Sequence, residues 1–292
     1  MDSSFTGIAF FIGHLTLKLK TMKTEFPFAI INVFSKAKIN ALGNPSAVIL
    51  LDRDLSDEKL QSIATELHQP ATTFLWETAE ENEFRIRWFA PDAEIGLCGH
   101  GAMAASVFLS DHYPEKLKKD FRLIKGDTVI EAGKDSENTH FVILENIKRS
   151  ENQTSPEGLE KALGQKIVEY YPTENKDIVV LESEEILANM KPDFEALRKI
   201  DVFGYSVTAA SSQEDDFVCR TLVPHVQQLE DHATGSTQAV LVDYWASKLG
   251  RSNLESRQLS PRGGYFNVIH TTENFRLIAQ SYYTIKGTFY LN

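Results

Sequence analysis

Short apolar runs recur along most of this chain, and two longer segments are apolar on nearly every side. Residues 84–89 alternate, and 28–34, 46–51 and 72–76 are apolar stretches of strand length. All four predict strands. Gly43-Asn44-Pro45 reads as a turn. Ser56 is a predicted N-cap for a helix that aligns Leu60, Ile63, Ala64 and Leu67 on one face. A second helix should run from about His100 to Asp111. Ala102, Ala104, Ala105, Val107 and Phe108 leave it almost no polar face, so it belongs inside something. Strands are expected again at 121–124, 128–131 and 141–144. Residues 148–157 are polar and carry Asn152, Ser155 and Pro156, the mark of a connection. Beyond it the style repeats, with strands at 178–181, 205–209 and 217–222. A helix over 236–248 is apolar on most sides through Ala239, Val240, Leu241, Val242, Tyr244 and Trp245. Short strands are expected at 265–270, 275–280 and 289–291.

Each half thus holds many strands and one helix that must be buried. That predicts an α+β protein of two lobes, each a sheet curled around a helix. A local pattern is written twice as well. Arg87-Trp88-Phe89-Ala90-Pro91 is followed by Glu94 and by Cys98-Gly99-His100-Gly101. Arg220-Thr221-Leu222-Val223-Pro224 is followed by Glu230-Asp231 and by Thr234-Gly235-Ser236. A helix that starts at such a Gly turn presents free N–H groups and a partial positive charge. Two such starts facing each other would suit a small carboxylate. The expected boundaries are 22–135 for the first lobe, 136–275 for the second, and 276–292 as C-terminal strands returning to the first lobe.

Composition narrows the function. The chain's 292 residues, 42% hydrophobic and 24% charged, can bury a core without disulfides or metals. A net charge of −11 argues against a nucleic-acid partner, because phosphate contacts need a basic surface. There are only two cysteines, Cys98 and Cys219, which fits a reducing, cytoplasmic setting better than a disulfide framework. No stretch approaches the roughly 18 apolar residues of a membrane span. Residues 8–17 are mildly apolar, but no basic residue precedes them and no small-residue cleavage site follows, so a signal peptide is not expected. Met22-Lys23-Thr24 stands immediately before the first strand and reads as a start, leaving residues 1–21 as an extension outside the fold.

The chain resembles the phenazine-biosynthesis (PhzF-like) isomerase family from about Phe28 to Val268. The resemblance rests on Gly43-Asn44-Pro45-Ser46-Ala47-Val48, Ile63-Ala64-x-Glu66-Leu67, Arg87-x-Phe89-x-Pro91-x-x-Glu94, Cys98-Gly99-His100 and Glu230-Asp231-x-x-Thr234-Gly235-Ser236. It implies a diaminopimelate-epimerase-like fold: two pseudo-symmetric lobes, each a barrel-like, mostly antiparallel sheet around a central helix. It also implies a homodimer and maps the family's His onto His100 and its Asp onto Asp231. Three positions depart from the family pattern. The family's Ser-Glu-Thr-x-Phe is Pro70-Ala71-Thr72-Thr73-Phe74 here, so Ala71 stands where the proton-transferring Glu is expected. Asn32 replaces an Asp at the end of the first strand, and His232 replaces the Pro after Asp231. The chain also differs from two-cysteine racemases, which place a thiol before each helix: the first position is Cys98, but the second is Thr234, a poor base at neutral pH.

The expected activity is therefore a cofactor-independent proton transfer at carbon in a small carboxylic or amino acid, with no metal and no membrane partner. His100 is the candidate general acid or base. Asp231 is a candidate to orient a catalytic group or bind a substrate amine. Gly99, Gly101, Thr234, Gly235 and Ser236 are the candidate carboxylate-binding residues at the helix starts. Cys98 reads as a small buried hydrophobe and Glu94 as a structural hydrogen-bonding group. No Gly-rich fingerprint follows a strand, which removes the case for a dinucleotide. The alternative of a different class is an impaired relative that keeps the cleft for binding a small carboxylate.

Overall fold

The computed structural model describes residues 24–117 and 120–291, so the expected extension at 1–21 lies outside the described residues. The first lobe opens with β1 (Glu25–Ser35) and β2 (Asn44–Leu51), an antiparallel pair, and crosses through α1 (Asp57–Leu67) to β3 (Ala71–Glu77), parallel to β2. Ser56 caps α1, its hydroxyl accepting from the Lys59 N–H, and Leu60, Ile63 and Ala64 are buried. β4 (Glu83–Phe89) follows, with β5 (Glu94–Ile95) folded back on its end. Helix α2 (Gly99–His112) then leads to β6 (Phe121–Lys125), parallel to β4, and β7 (Thr128–Ser136) and β8 (Thr139–Glu145) continue antiparallel.

The second lobe repeats that order. After α3 (Leu159–Leu163) and β9 (Glu169–Tyr171), β10 (Asp177–Val180) crosses through α4 (Glu184–Asn189) and α5 (Phe194–Leu197) to the parallel β11 (Tyr205–Ala210). β12 (Phe217–Leu222) and β13 (Glu230–Asp231) precede α6 (Gly235–Leu249), which crosses to the parallel β14 (Asn253–Gln258). β15 (Gly264–His270) and β16 (Asn274–Tyr290) complete the chain. Strands β1-β2-β3-β4-β6-β7-β8-β16 form a ring that closes through the β1–β16 pairing, an eight-stranded barrel. β16 also pairs with β15, so the sheet runs on through β14, β12, β11, β10 and β9 as the second lobe. The fold is α+β, mostly antiparallel, with two lobes of the same design.

Residues 99–110 of α2 are all buried, because the barrel surrounds the helix with β1, β2, β3, β7 and β8. In the second lobe Trp245 of α6 stacks on Phe217 at 5.3 Å between ring centroids and gives its indole N–H to Thr208 Oγ1 at 3.0 Å. None of the described helices is long and apolar enough to cross a membrane.

Three local expectations are corrected. Gly43 alone has the turn's positive φ, at 70°; Asn44 and Pro45 already belong to β2, opposite Val33 and Asn32. The strands expected at 275–280 and 289–291 are parts of the one strand β16, whose residues 274–280 bond β8 and 280–290 bond β1. The intervening polar residues hide this, since a ladder of backbone hydrogen bonds needs no apolar side chains where the strand is exposed. β14 goes unread in the sequence because two of its three inward positions are Ser256 and Gln258.

Gly101 is closely packed inside the first core. A Cβ there would lie 2.4 Å from Trp88 Cδ1 and 2.9 Å from Thr73 Oγ1. Gly101→Ala is expected to cost about 1–3 kcal/mol, the usual penalty of overpacking, measured by urea denaturation against the wild type.

Candidate active site

The two helix starts are in contact. A Cβ built on Gly99 would fall 3.0 Å from Gly235 Cα, and one on Gly235 would fall 3.1 Å from Gly99 Cα. Only glycine permits this approach, and it brings the first turns of α2 and α6 together at the junction of the lobes. His100 and Ser236, the next residue on each helix, flank the contact. The register of the strands makes the pseudo-symmetry explicit. Aligning Arg87 with Arg220 sets Phe89 against Leu222. The pairings Thr72–Phe89 and Tyr205–Leu222 then match Thr72 to Tyr205, Ala71 to Gly204 and, one strand further, Ser46 to Lys176.

The repeated Arg and the following Glu build each lobe's frame. Arg87 donates Nε and Nη2 to the two Glu94 oxygens at 3.1 and 2.7 Å. Arg220 does the same to Glu230, both at 2.8 Å, and gives Nη1 to the Met190 carbonyl at 2.6 Å. The Arg87 guanidinium, with Lys125, holds the Glu94 carboxyl down to about 2.

Asp231 is the centre of the polar network at the lobe junction. Its Oδ1 accepts from Asn44 Nδ2 of the first lobe at 2.8 Å and from the His232 N–H at 2.8 Å. Its Oδ2 accepts from Thr234 Oγ1 at 2.7 Å. Gln258 fixes the same loop, accepting the Thr234 N–H at 2.8 Å and donating to the Asp231 carbonyl at 2.7 Å. Asn44 Nδ2 also reaches the Ala233 carbonyl at 2.9 Å. This residue, which reads in the sequence as turn chemistry, is the bond between the two halves of the site.

His100 is buried. Its Nδ1 stands 3.4 Å from Cys98 Sγ, which also accepts the Gly101 N–H at 3.4 Å. Burial pushes the imidazole below its usual value; the Asp231 charge works in the opposite sense, and His232 adds to the lowering. His100 is therefore neutral at pH 7. Burial pushes the Cys98 thiol up to about 12, so it is a protonated group rather than a thiolate. Ala71 is fully buried at the first position of β3, its carbonyl accepting from Ser46 Oγ at 3.1 Å. Its methyl group has no proton to transfer.

Lys176 is a residue that the sequence reading missed. It stands just before β10, is 5% exposed, and donates Nζ to Ser236 Oγ at 2.9 Å and to Asn175 Oδ1. Burial pushes its ammonium down to about 8, with Asp231 pulling the other way. His232 is half-buried and likewise lowered by burial. The structure places His100, Asp231, Thr234, Gly235, Ser236, Gly99 and Gly101 around the two helix starts, with Asn44 and Lys176 beside them. Two cavities lie to the side: one of about 700 Å³ near Val107, Asp111 and His140, and one of about 370 Å³ beside Gln258 and Ser260.

Two sheet-wrapped helices meeting start to start make an epimerase-like fold. The family of phenazine biosynthesis-like proteins matches residues 31–274 of this chain. An uncharacterized isomerase of Vibrio cholerae is 36% identical, with 80% of this chain and 81% of that protein covered. One of Pseudomonas aeruginosa is 35% identical, with 82% and 89% covered. The solved structure of a PhzF-family phenazine biosynthesis protein from Enterococcus faecalis superposes with a TM-score of 0.83 at 30% identity, over 91% of this chain and 100% of that one. A hydroxyproline epimerase from Agrobacterium vitis shares the fold, with a TM-score of 0.62 at 10% identity over 92% and 93% of the two chains. The chain belongs to the phenazine biosynthesis-like (PhzF) family and is an isomerase of that type.

Proposed function

We propose that the protein moves a proton at carbon in a small carboxylic or amino acid held at the junction of α2 and α6. The observation that carries this reading is the contact of the two helix starts with His100 and the Asp231 network beside it. The positive ends of both helices suit the substrate carboxylate and favour the extra charge that develops when a neighbouring C–H is deprotonated; the Gly101 N–H is already given to Cys98 Sγ and the Thr234 N–H to Gln258 Oε1. His100 is the proton acceptor. Burial keeps it unprotonated at pH 7, and Asp231 stabilises the imidazolium that forms. Asp231 is itself tied to both lobes through Asn44 and Thr234, so it positions His100 and the substrate rather than moving freely.

Proton–deuterium exchange at carbon, followed by NMR in D2O, tests the reading. The panel is the L-amino acids, trans-4-hydroxy-L-proline and small β,γ-unsaturated carboxylic acids. Exchange, racemisation or double-bond migration of at least one compound is expected. Ala71 favours one competing reading, a protein that binds the same carboxylate and does not turn it over. Tight binding of a panel member with no exchange at any pH would select that reading instead.

A further inference from the structure

We infer that Lys176 is the second acid–base group of this site: it returns a proton to the substrate from the second lobe while His100 takes one from the first. This rests on the proton-transfer reading above and deepens it. The geometry places the two groups as a pair. Lys176 Nζ sits on Ser236 Oγ, and Ser236 is the counterpart of His100 across the Gly99–Gly235 contact. The Asp231 charge acts on both residues.

The fold has made room for this side chain. In the first lobe the position matched to Lys176 is Ser46, which spends its hydroxyl on the Ala71 carbonyl and on Thr73. The position matched to Ala71 is Gly204. A Cβ there would press on Lys176 Cγ at 3.3 Å and on the Leu222 carbonyl at 2.7 Å. The lobe that lacks a carboxylate at Ala71 thus faces a lobe that carries a buried amine.

A buried lysine with only a structural task normally has a carboxylate partner, since an unpaired buried ammonium is costly. Among the described residues no carboxylate lies within 4.0 Å of Lys176 Nζ; its partners are the neutral oxygens of Ser236 and Asn175 and, at 5.9 Å, the Phe203 ring. Asp177, next in the chain, is engaged elsewhere, by Tyr170 Oη and the Thr173 N–H. Asp231 is the acidic group whose charge acts on the amine, and the positive end of α6 works against the ammonium. The ammonium therefore gives up its proton more readily than an exposed lysine, with a midpoint of about 8. At pH 7 His100 is neutral and Lys176 is protonated, the forms needed for one to accept and the other to donate.

The step balances without a further reagent. The substrate C–H bond breaks, its proton goes to the His100 imidazole, and its electron pair moves into the carboxylate-stabilised carbanion. One Lys176 N–H bond then breaks and its proton forms the new C–H bond, leaving a neutral amine. Solvent exchange restores the imidazole and the ammonium.

The test is the pH dependence of net conversion, racemisation or double-bond migration of the exchanging panel compound, in wild type and Lys176→Met, because exchange alone needs only His100. The wild-type rate is expected to fall about tenfold per pH unit above about 8, as the donor is lost. Lys176→Met is expected to be slower by about 10²-fold or more at pH 7 and to lack that alkaline limb. Lys176→Ala is expected to recover part of the rate with added methylammonium. A ¹³C titration of ε-labelled lysine, with the Lys176 signal assigned by its loss in Lys176→Met, reads the midpoint without any substrate. Wild-type kinetics in folded Lys176→Met, or a raised KM with unchanged kcat, overturns the acid role and leaves the isomerase reading standing. A Lys176 midpoint near that of an exposed lysine also overturns it. Absence of exchange in the wild type overturns the isomerase reading, and this assignment with it.

Discussion

Replacing His100 with alanine is expected to slow proton exchange at the substrate carbon by about 10²–10⁴-fold, the usual contribution of a positioned general acid or base. The fold should survive, because the change trims one side chain at the lobe junction and leaves the closely packed Gly99 and Gly101 untouched. Circular dichroism and the urea midpoint check this. Residual exchange reflects orientation and the electrostatics of the helix starts. The acid side of the pH profile carries a second signature. Activity needs the neutral imidazole, and burial holds the His100 value below that of a free histidine, so wild-type activity persists below pH 6.5 and declines only as the pH falls through the lowered value. Stability follows the same sign: the unfolded chain takes up this proton near pH 6.5 and the folded one resists it, so the protein loses stability as the pH drops below 6.5. Exchange in His100→Ala within a few-fold of the wild type, with the same acid limb, would reduce His100 to a buried structural residue.

How far the site can be read from the sequence depends on what kind of signal each residue leaves. α2 and α6 are legible because a helix apolar on every side has one physical explanation, burial inside a sheet. The written-twice Arg-x-x-x-Pro and Gly-turn pattern exposes the two lobes, although the Arg and Glu of each copy turn out to brace the lobes rather than to face substrate. Asn44 is legible as a residue of interest and not as to its role. Asn before Pro is ordinary turn chemistry, and only the pairing of β1 with β2 turns its amide toward Asp231, 187 residues away. Lys176 leaves no local mark at all. Glu174-Asn175-Lys176-Asp177 reads as a solvated, charged turn, and its burial comes from the crossover through α4 and α5, which seats Phe203 and Gly204 against it. The available clue was the strand that follows, fully buried at 177–180, together with the match of this position to Ser46 once both Arg motifs are aligned.

Ala71→Glu is expected to raise exchange at pH 7 by about 10²-fold, part of what a positioned general acid or base contributes. Ala71 is fully buried at the start of β3, one strand from Ser46 and in the lobe that supplies His100. A carboxyl group there is desolvated, so its pKa rises above that of an exposed glutamate and its basicity rises with it. The gain should appear as the pH rises through that raised value. It should also persist above pH 8, because an acid–base group in the first lobe relieves the reaction of its need for the Lys176 proton. The substitution lowers stability by about 1–3 kcal/mol, since it forces one extra methylene and a carboxyl group into a filled core. Measuring exchange and the urea midpoint together separates the two effects. A folded Ala71→Glu protein with unchanged exchange across the pH range would mean that the reacting carbon lies out of reach of β3, and that the chemistry in this chain belongs to His100 and the second lobe alone.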